Sequence, residues 1–475
     1  MYGNDPVGWI NKFINFDGLK LDKLTWQQEE IATSLVEHKN IAVSAGGGIG
    51  KTALMAMLIQ WFLITHPLAK IPTTAPTAKQ LHDILWSEVS LWLKRNRLRD
   101  MYETRKGRLF IKGFPEWYAV ARTVSKDTHE LNDTLAGFHA RHLLIIVDES
   151  SGVPDPVFTA LTGAMTDKNS YIVLISNPVS TGGFYYDTIT DPEGKGKNFK
   201  VLFYSAKDSP LVDPTFEEFI ITRYGKDSPM YKAKVLGLPI GEYDSVVVPP
   251  DVFDEVVNAN KGFDTGAYVL SVDVGGSGPD ATVFCYRCGR SFYKWETFDK
   301  TDPTYVSDLI ISRWQTDFQG KPFTCVVDAH GIGAGVYSNL TKANKFPVIG
   351  FIGPQKAFHQ EMFQDKRAEG FYHLHKNFKD FQFPVPPPQR LKKELANLKF
   401  DYSAGPIKME DKRSFKKRLG FSPDYADAMM MSCAVENFTA LSASRKVSKR
   451  AVSILSALRQ RSRETKYGKF GKFVQ

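Results

Sequence analysis

The sequence predicts an α/β protein built of two successive domains, and three observations carry that expectation. A glycine-rich loop, SAGGGIGKTAL (Ser44 to Leu54), is enclosed between a short apolar strand and a long apolar helix. A second continuous apolar run, from His142, ends in the paired acids Asp148 and Glu149. In the second half, aspartates stand at the ends of two apolar strands and again on a late helix. At 475 residues the chain exceeds one ordinary core, and at about 150 residues per domain two or three units are expected.

A hydrophobic fraction of 43% with 24% charged residues describes a folded, soluble protein and excludes extensive disorder. The start, MYGNDPVGWINKF, carries an early acid and no apolar core flanked by small residues, so no secretory signal is expected. The longest apolar stretch, Ala53 to Ile64, includes Gln60 and falls short of the ~20 residues that span a bilayer, which argues against a membrane partner. Four cysteines make no disulfide framework, and the single CxxC at Cys285 and Cys288 lacks the second pair a zinc site needs. The net charge of +9 sits at one end: Leu441 to Gln475 holds ten Lys/Arg against Glu464 alone, and the remainder is neutral. Such a tail would bind polyanions or an acidic partner surface and be released by salt.

The apolar run Asn40 to Ser44, the glycine loop and the helix-forming run from Ala53 give strand, loop, helix, the context a phosphate-binding loop requires. Gly46, Gly47, Gly48 and Gly50 would let the backbone curl around phosphate oxygens, Lys51 would reach the β- and γ-phosphates of ATP, and Thr52 would ligate Mg²⁺. Ala45 stands where the usual pattern has its first glycine, a place that needs no positive φ. The strand from His142 ends in Asp148, expected to hold Mg²⁺ through water, and Glu149, expected to orient and deprotonate the attacking water. Upstream, LTWQQEEI places Trp26 and Gln27 where a glutamine would read the adenine edge. The stretch from Ile71 to Gln80 reads as the strand and turn after the loop helix, and YIVLISNP as a buried strand ending in Ser176 and Asn177, a polar pair placed to sense the γ-phosphate.

After Gly237 the text becomes proline-rich and irregular, so residues 241–264 read as a linker between a P-loop domain (1–240) and a second domain (265–440), with the basic tail at 441–475. In the second domain, one strand carries Asp273 into a pair of glycines and another ends on Asp328. Later, SPDYADAM opens a helix with Asp424 and Asp427 one turn apart. Strand, strand, helix with a carboxylate on each is the pattern of the ribonuclease H fold, in which the acids hold two Mg²⁺ or Mn²⁺ ions ~4 Å apart for phosphodiester cleavage. Asp280 is a candidate outer ligand, and the last ligand is either Asp424 or Asp427.

Together, LAGFHARHLLIIVDESSGVP, LISNPVSTGGFYYD, the VLGLP junction, SVDVGGSGPDAT, VVDAHGIGAGV and LGFSPDYADAM resemble the large terminase subunit of tailed bacteriophages, from about Leu24 to Met431. The resemblance implies a P-loop (RecA/ASCE-like) ATPase domain that drives double-stranded DNA into a procapsid through the portal, and a ribonuclease-H-like nuclease that cuts concatemeric DNA. It implies as partners the portal protein and a small terminase subunit, a homo-oligomeric ring when packaging and a monomer in solution, working in the host cytoplasm and transiently docked on the procapsid. It carries the ATPase roles to Lys51, Thr52, Asp148 and Glu149, the metal roles to Asp273, Asp328 and Asp427, and selects Asp427 as the last acid. Many relatives have a basic residue four positions before the lysine; here that residue is Gly47, so an arginine finger is expected from Arg122 or Arg141, in this chain or a neighbouring subunit. A helicase or restriction-type translocase with a fused nuclease would instead need a second RecA-like domain with its own arginine motif.

Overall fold

A computed structural model describes residues 2–105, 107–124, 138, 140–164, 168–241, 243–259, 261–276, 280–299, 302–402 and 406–433; the basic tail lies outside them. The chain divides into two compact units, the first running to Ser245 and taking in Asp401 and Tyr402, the second beginning at Val246.

In the first unit an eight-stranded sheet has the order β3-β4-β5-β2-β6-β7-β1-β8. The strands are β1 (Asn40–Ala45), β2 (Ala69–Thr74), β3 (Tyr102–Arg105), β4 (Arg108–Ile111), β5 (Phe114–Ala121), β6 (His142–Asp148), β7 (Ser170–Ser176) and β8 (Lys200–Tyr204). From β5 to β8 all neighbours are parallel, and β3 and β4 add antiparallel at one side. Parallel strands covered on both faces need continuous apolar sequence, which β1 and β6 have. Because these strands run the same way, Ala45, Thr74, Ala121, Asp148, Ser176 and Tyr204 end at one edge. β7 lies between β1 and β6, pairing Val43 with Ile175 and Val147 with Leu174.

The helix Lys51–Thr65 leaves β1 and is buried along almost its whole length, consistent with an apolar sequence on every face. Its polar exception, Gln60, is fully satisfied: Nε2 donates to Ala56 O at 3.1 Å, Oε1 accepts from Asn96 at 2.9 Å, and its carbonyl accepts from the Tyr102 hydroxyl at 2.8 Å. Among the described residues no helix is long and apolar enough to cross a membrane.

The second unit holds a five-stranded sheet, order β11-β10-β9-β12-β13, formed by β9 (Tyr268–Asp273), β10 (Thr282–Cys288), β11 (Ser291–Phe298), β12 (Phe323–Asp328) and β13 (Val348–Phe351). β9, β10 and β11 form an antiparallel meander, and β12 and β13 join parallel to β9. In chain order this is 3-2-1-4-5 with only the second strand, β10, reversed, the ribonuclease H arrangement. Cys285 and Cys288 are buried free thiols on β10.

The stretch expected as a linker is not irregular. It contains the helix Pro250–Ala259, whose Phe253 is buried and stacks on Phe378 with ring centres 5.6 Å apart. Val247 and Val248 are buried and donate to Leu398 O at 2.9 Å and Leu395 O at 3.1 Å. The flanking prolines suggested a loop, but the valines between them are core residues of the second unit.

Candidate functional site

The phosphate loop follows β1 in a space too narrow for side chains. A Cβ on Gly46 would stand 2.7 Å from both Ala206 N and Val235 O, and Gly50 has φ +81° with Gln28 Nε2 2.5 Å from its would-be Cβ. The Gly46 and Gly47 N–H groups, expected to face phosphate, donate instead to Tyr204 O at 2.9 Å and Lys234 O at 2.8 Å. They anchor the loop, so a phosphate would be left to Gly48, Gly50 and the first turn of the following helix, whose N–H groups lack intrahelical partners. Lys51 is buried, and its Nζ donates to Gly46 O at 2.9 Å and Asn177 Oδ1 at 3.3 Å; burial lowers its pKa, opposed by Glu149 and Asp148.

The acids at the end of β6 meet this loop. Asp148 is pushed up to about 7, first by burial and then by Glu149, while Lys51 and a hydrogen bond from Thr52 pull it down. Thr52 and Asp148 are therefore in contact, as joint Mg²⁺ binding requires. Glu149 has φ 48°, a left-handed conformation uncommon for this residue type. It is held there by its own N–H on Asp148 Oδ1 at 3.1 Å and by Ser176 Oγ donating to its Oε2 at 3.0 Å. Ser151 Oγ lies 2.8 Å from Ser176 Oγ. Asn177 bridges the two elements, donating to Ala45 O at 2.6 Å while accepting from Lys51. The pair at the end of β7 thus touches both the general-base candidate and the phosphate-loop lysine.

Of the two glutamines in LTWQQEEI, Gln28 touches the loop: it closes a capping box with Thr25 and donates to Gly50 O at 3.1 Å. Gln27 is fully buried, its Nε2 3.4 Å from Ser205 O and its Oε1 without a partner. A buried acceptor lacking a donor beside the loop fits the exocyclic amine of adenine. Arg122 follows β5 at the same sheet edge, its guanidinium 5.0 Å from the Phe138 ring centre and its Nε buried without a partner. Two strand spacings separate β5 from β6, about 10 Å. Arg141 precedes β6 and stands at the opposite edge, so within one chain it does not reach the phosphates.

In the second unit Asp273 and Asp328 end the adjacent parallel strands β9 and β12, with Val272 and Val327 in register, so both carboxylates emerge at one edge. With Asp427 from helix 424–433, they line a cavity of about 270 Å³ that also receives Arg367, Lys412 and His330. Sequence reading missed both cations. Lys412 Nζ lies 3.3 Å from Asp273 Oδ2 and 3.1 Å from Asp427 Oδ2, and Arg367 Nε donates to Asp427 Oδ1 at 2.9 Å. Burial raises Asp273 well above the ordinary carboxylate range, despite Lys412. Asp328 is raised by burial as well. At Asp427, burial acts upward but Arg367 and Lys412 outweigh it, and the group falls below the ordinary range.

Among the described residues no three Asp, Glu, His or Cys side chains stand close enough together to hold a metal ion as placed. Like charges gathered in one buried pocket repel, and here the Lys412 ammonium lies between two of them. The donor set itself, two buried carboxylates and the half-buried Asp328 with no thiol, suits hard divalent cations such as Mg²⁺ and Mn²⁺. Asp424 is buried but does not line the cavity; burial raises it to about 6. Asp280 is a clamp, accepting from Lys416 Nζ at 2.7 Å and Ser422 Oγ at 2.9 Å, which leaves it outside the cavity.

Glu394, fully buried on the helix Gln389–Leu395, fixes the start of the helix that carries Asp427. It accepts the Ala426 N–H at 2.8 Å and the Arg390 Nε–H at 2.8 Å, and Arg390 stacks 3.6 Å from the Phe421 ring centre. Burial pushes Glu394 up to about 8 from 4.5. The folded state then binds this proton more tightly than the unfolded chain, so stability falls as pH rises from the unfolded to the folded pKa and levels off above it. Thermal melts of the wild type should show this loss, on the order of 3–5 kcal/mol in total. Glu394→Gln should flatten it; equal pH slopes in the two proteins would count against the assignment.

Comparison with known proteins gives matches to the first unit and along most of the chain. Residues 27–178 match the family model described as an AAA domain. Over 434 residues the chain is 26% identical to "Probable terminase, large subunit" of Enterobacteria phage P7, covering 85% of this chain and 86% of that protein. Among solved structures it is similar to the large terminase of a thermophilic bacteriophage, at 15% identity over 87% of this chain and 98% of that one, TM-score 0.41. It is also similar to the nuclease domain of the large terminase subunit of bacterial virus Sf6, at 22% identity over 40% of this chain and 98% of that one, TM-score 0.34. The chain is thus similar to large terminase subunits along most of its length, with an AAA-type P-loop domain first.

Proposed function

We propose that this chain is the large subunit of a phage terminase: an ATP-driven motor that moves double-stranded DNA into a procapsid, joined to a metal-dependent endonuclease that cuts concatemeric DNA. The observation that carries the reading is the presence in one chain of a P-loop paired with Asp148 and Glu149, and of Asp273, Asp328 and Asp427 around one cavity on a ribonuclease-H-like sheet. A helicase with a fused nuclease would require a second parallel RecA-like sheet, and the second unit has a mixed 3-2-1-4-5 sheet instead.

In the first unit Lys51 leaves Gly46 O and Asn177 for the β- and γ-phosphates, and Gln27 offers its Oε1 to adenine. Thr52 and Asp148 would hold Mg²⁺, which would neutralise charge on the phosphates. Glu149 takes the proton of the attacking water, and Ser176 keeps its carboxylate aimed. Loss of the γ-phosphate alters the Lys51–Asn177 contact, which gives β7 a way to sense the nucleotide state.

In the second unit Asp273, Asp328 and Asp427 would hold two Mg²⁺ or Mn²⁺ ions, which would supply an activated water and a counter-charge for the leaving oxygen. Arg367 keeps Asp427 ionised and oriented. Lys412 leaves the Asp273–Asp427 gap as cations enter and is then placed to face a phosphate of the DNA backbone.

The partners follow from the reading: duplex DNA, a portal protein and a small terminase subunit, with the chain forming a ring on the portal and existing as a monomer in solution. It would act in the host cytoplasm, and the basic tail would contact DNA or portal. The reading is tested with the purified chain and linearised plasmid. DNA cutting should disappear with EDTA and return with excess Mn²⁺, because the metal ions would supply both the activated water and the counter-charge for the leaving oxygen. Cutting that persists in EDTA would overturn the two-metal assignment.

A further inference from the structure

Gly47 carries no side chain in the phosphate loop, and the structure shows what faces it. A Cβ built on Gly47 would point toward Phe216 Cζ at 3.1 Å and Lys234 O at 3.7 Å. A side chain here would thus run toward the helix Thr215–Tyr224 and the π-helical turn Lys232–Leu236. That turn is tied to the loop by its backbone: Gly47 N–H donates to Lys234 O at 2.8 Å, Ser205 Oγ to Val235 O at 3.2 Å, and Ser44 Oγ to Gly237 O at 2.8 Å. Single π-turns inside or beside helices recur at functional sites.

Two cations meet there. Lys234 is half-buried and, among the described residues, its ammonium has no hydrogen-bond or ion-pair partner. It is close enough to Glu149 and to Arg223 for both charges to act on it. Arg223 packs its guanidinium 5.6 Å from the Phe219 and Tyr224 ring centres and leaves its Nε buried without a partner. Two like charges sharing a partly desolvated space are unfavourable unless an anion joins them. Burial lowers the Lys234 pKa and Arg223 adds to the effect, opposed by Glu149.

We propose that Lys234, assisted by Arg223, supplies from the same chain the positive charge that stabilises the γ-phosphoryl group during hydrolysis. The inference rests on the ATP-hydrolysing reading of the first unit. A cation placed at the transferring group contributes about 10³–10⁵ in turnover in related chemistry.

The test uses the full chain. Lys234→Met keeps most of the stem and removes the charge, and it should lower ATP turnover by at least ~100-fold. Its ADP affinity should stay within about twofold of wild type while ATPγS affinity drops about tenfold, roughly 1.4 kcal/mol. Lys234→Arg should recover part of the turnover. Mixing Lys234→Met with Lys51→Ala, which retains Lys234 but cannot engage phosphate, should restore nothing. Wild-type turnover in Lys234→Met would overturn the proposal, and restored turnover in the mixture would move the charge to a neighbouring subunit and overturn it equally. If Lys234→Met does not fold, judged by its melt and by metal-dependent DNA cutting, Arg223→Gln on the facing helix is the second variant, with about tenfold slower turnover expected. A wild-type chain that hydrolyses no ATP would instead remove the reading beneath the proposal.

Discussion

Glu149→Gln should reduce ATP turnover by about 10²–10⁴-fold, the range for losing a positioned general base, while nucleotide binding survives. The expectation follows from how the residue is held. Among the described residues Glu149 makes no ion pair; it accepts from Ser176 at 3.0 Å and sits in a left-handed backbone conformation at the end of β6. Glutamine fills the same volume and can still accept from Ser176, so the fold keeps its contacts and only the proton acceptor is lost. The substitution also removes the second-largest influence raising Asp148. Asp148 should then ionise at lower pH, and Mg²⁺-nucleotide binding should be equal or tighter. Steady-state turnover with titration of a fluorescent ATP analogue measures both. A variant that loses binding along with turnover would show that Glu149 shapes the site rather than serving its chemistry.

The second large effect is expected from Asp273→Asn, which should lower metal-dependent DNA cutting by about 10³-fold or more, since metal-held charge contributes several kcal/mol to such reactions. Asp273 ends the central strand β9, is nearly inaccessible, and is already disfavoured as an anion by burial. The neutral isostere therefore has little to lose in stability: it gives up attraction to Lys412 but relieves repulsion with Asp427 and Asp328. The melting temperature of the variant should stay close to that of the wild type, which separates lost chemistry from lost fold. Substitution at Asp424, which does not line the cavity, should cost less than at Asp427.

What the sequence made legible was what lies close together along it. The phosphate loop, the paired acids and Ser176–Asn177 each occupy a few consecutive residues bounded by apolar strands, and strand ends in a parallel sheet share an edge. That logic extended to Asp273 and Asp328. It failed where a partner arrives from a distant element. Lys412 and Arg367 sit among other basic residues on surface helices, and nothing local separates the two that face the carboxylates from those that face water. Asp280 looked like a ligand because it follows a glycine-rich turn, yet its partner Lys416 is 136 residues away. Two local signals went unread. Thr25 followed three residues later by Gln28 is a capping box, which assigns Gln28 to the helix start. Arg141 immediately precedes a strand whose far end carries the acids.

The central claim is that two separate centres share one chain, and one measurement tests it most directly: ATP turnover and Mn²⁺-dependent plasmid cutting, assayed on the same preparations of Glu149→Gln and Asp273→Asn. The account predicts complementary losses, with Glu149→Gln still cutting DNA and Asp273→Asn still hydrolysing ATP. If either substitution abolished both activities while both units remained folded, the division of labour would be contradicted.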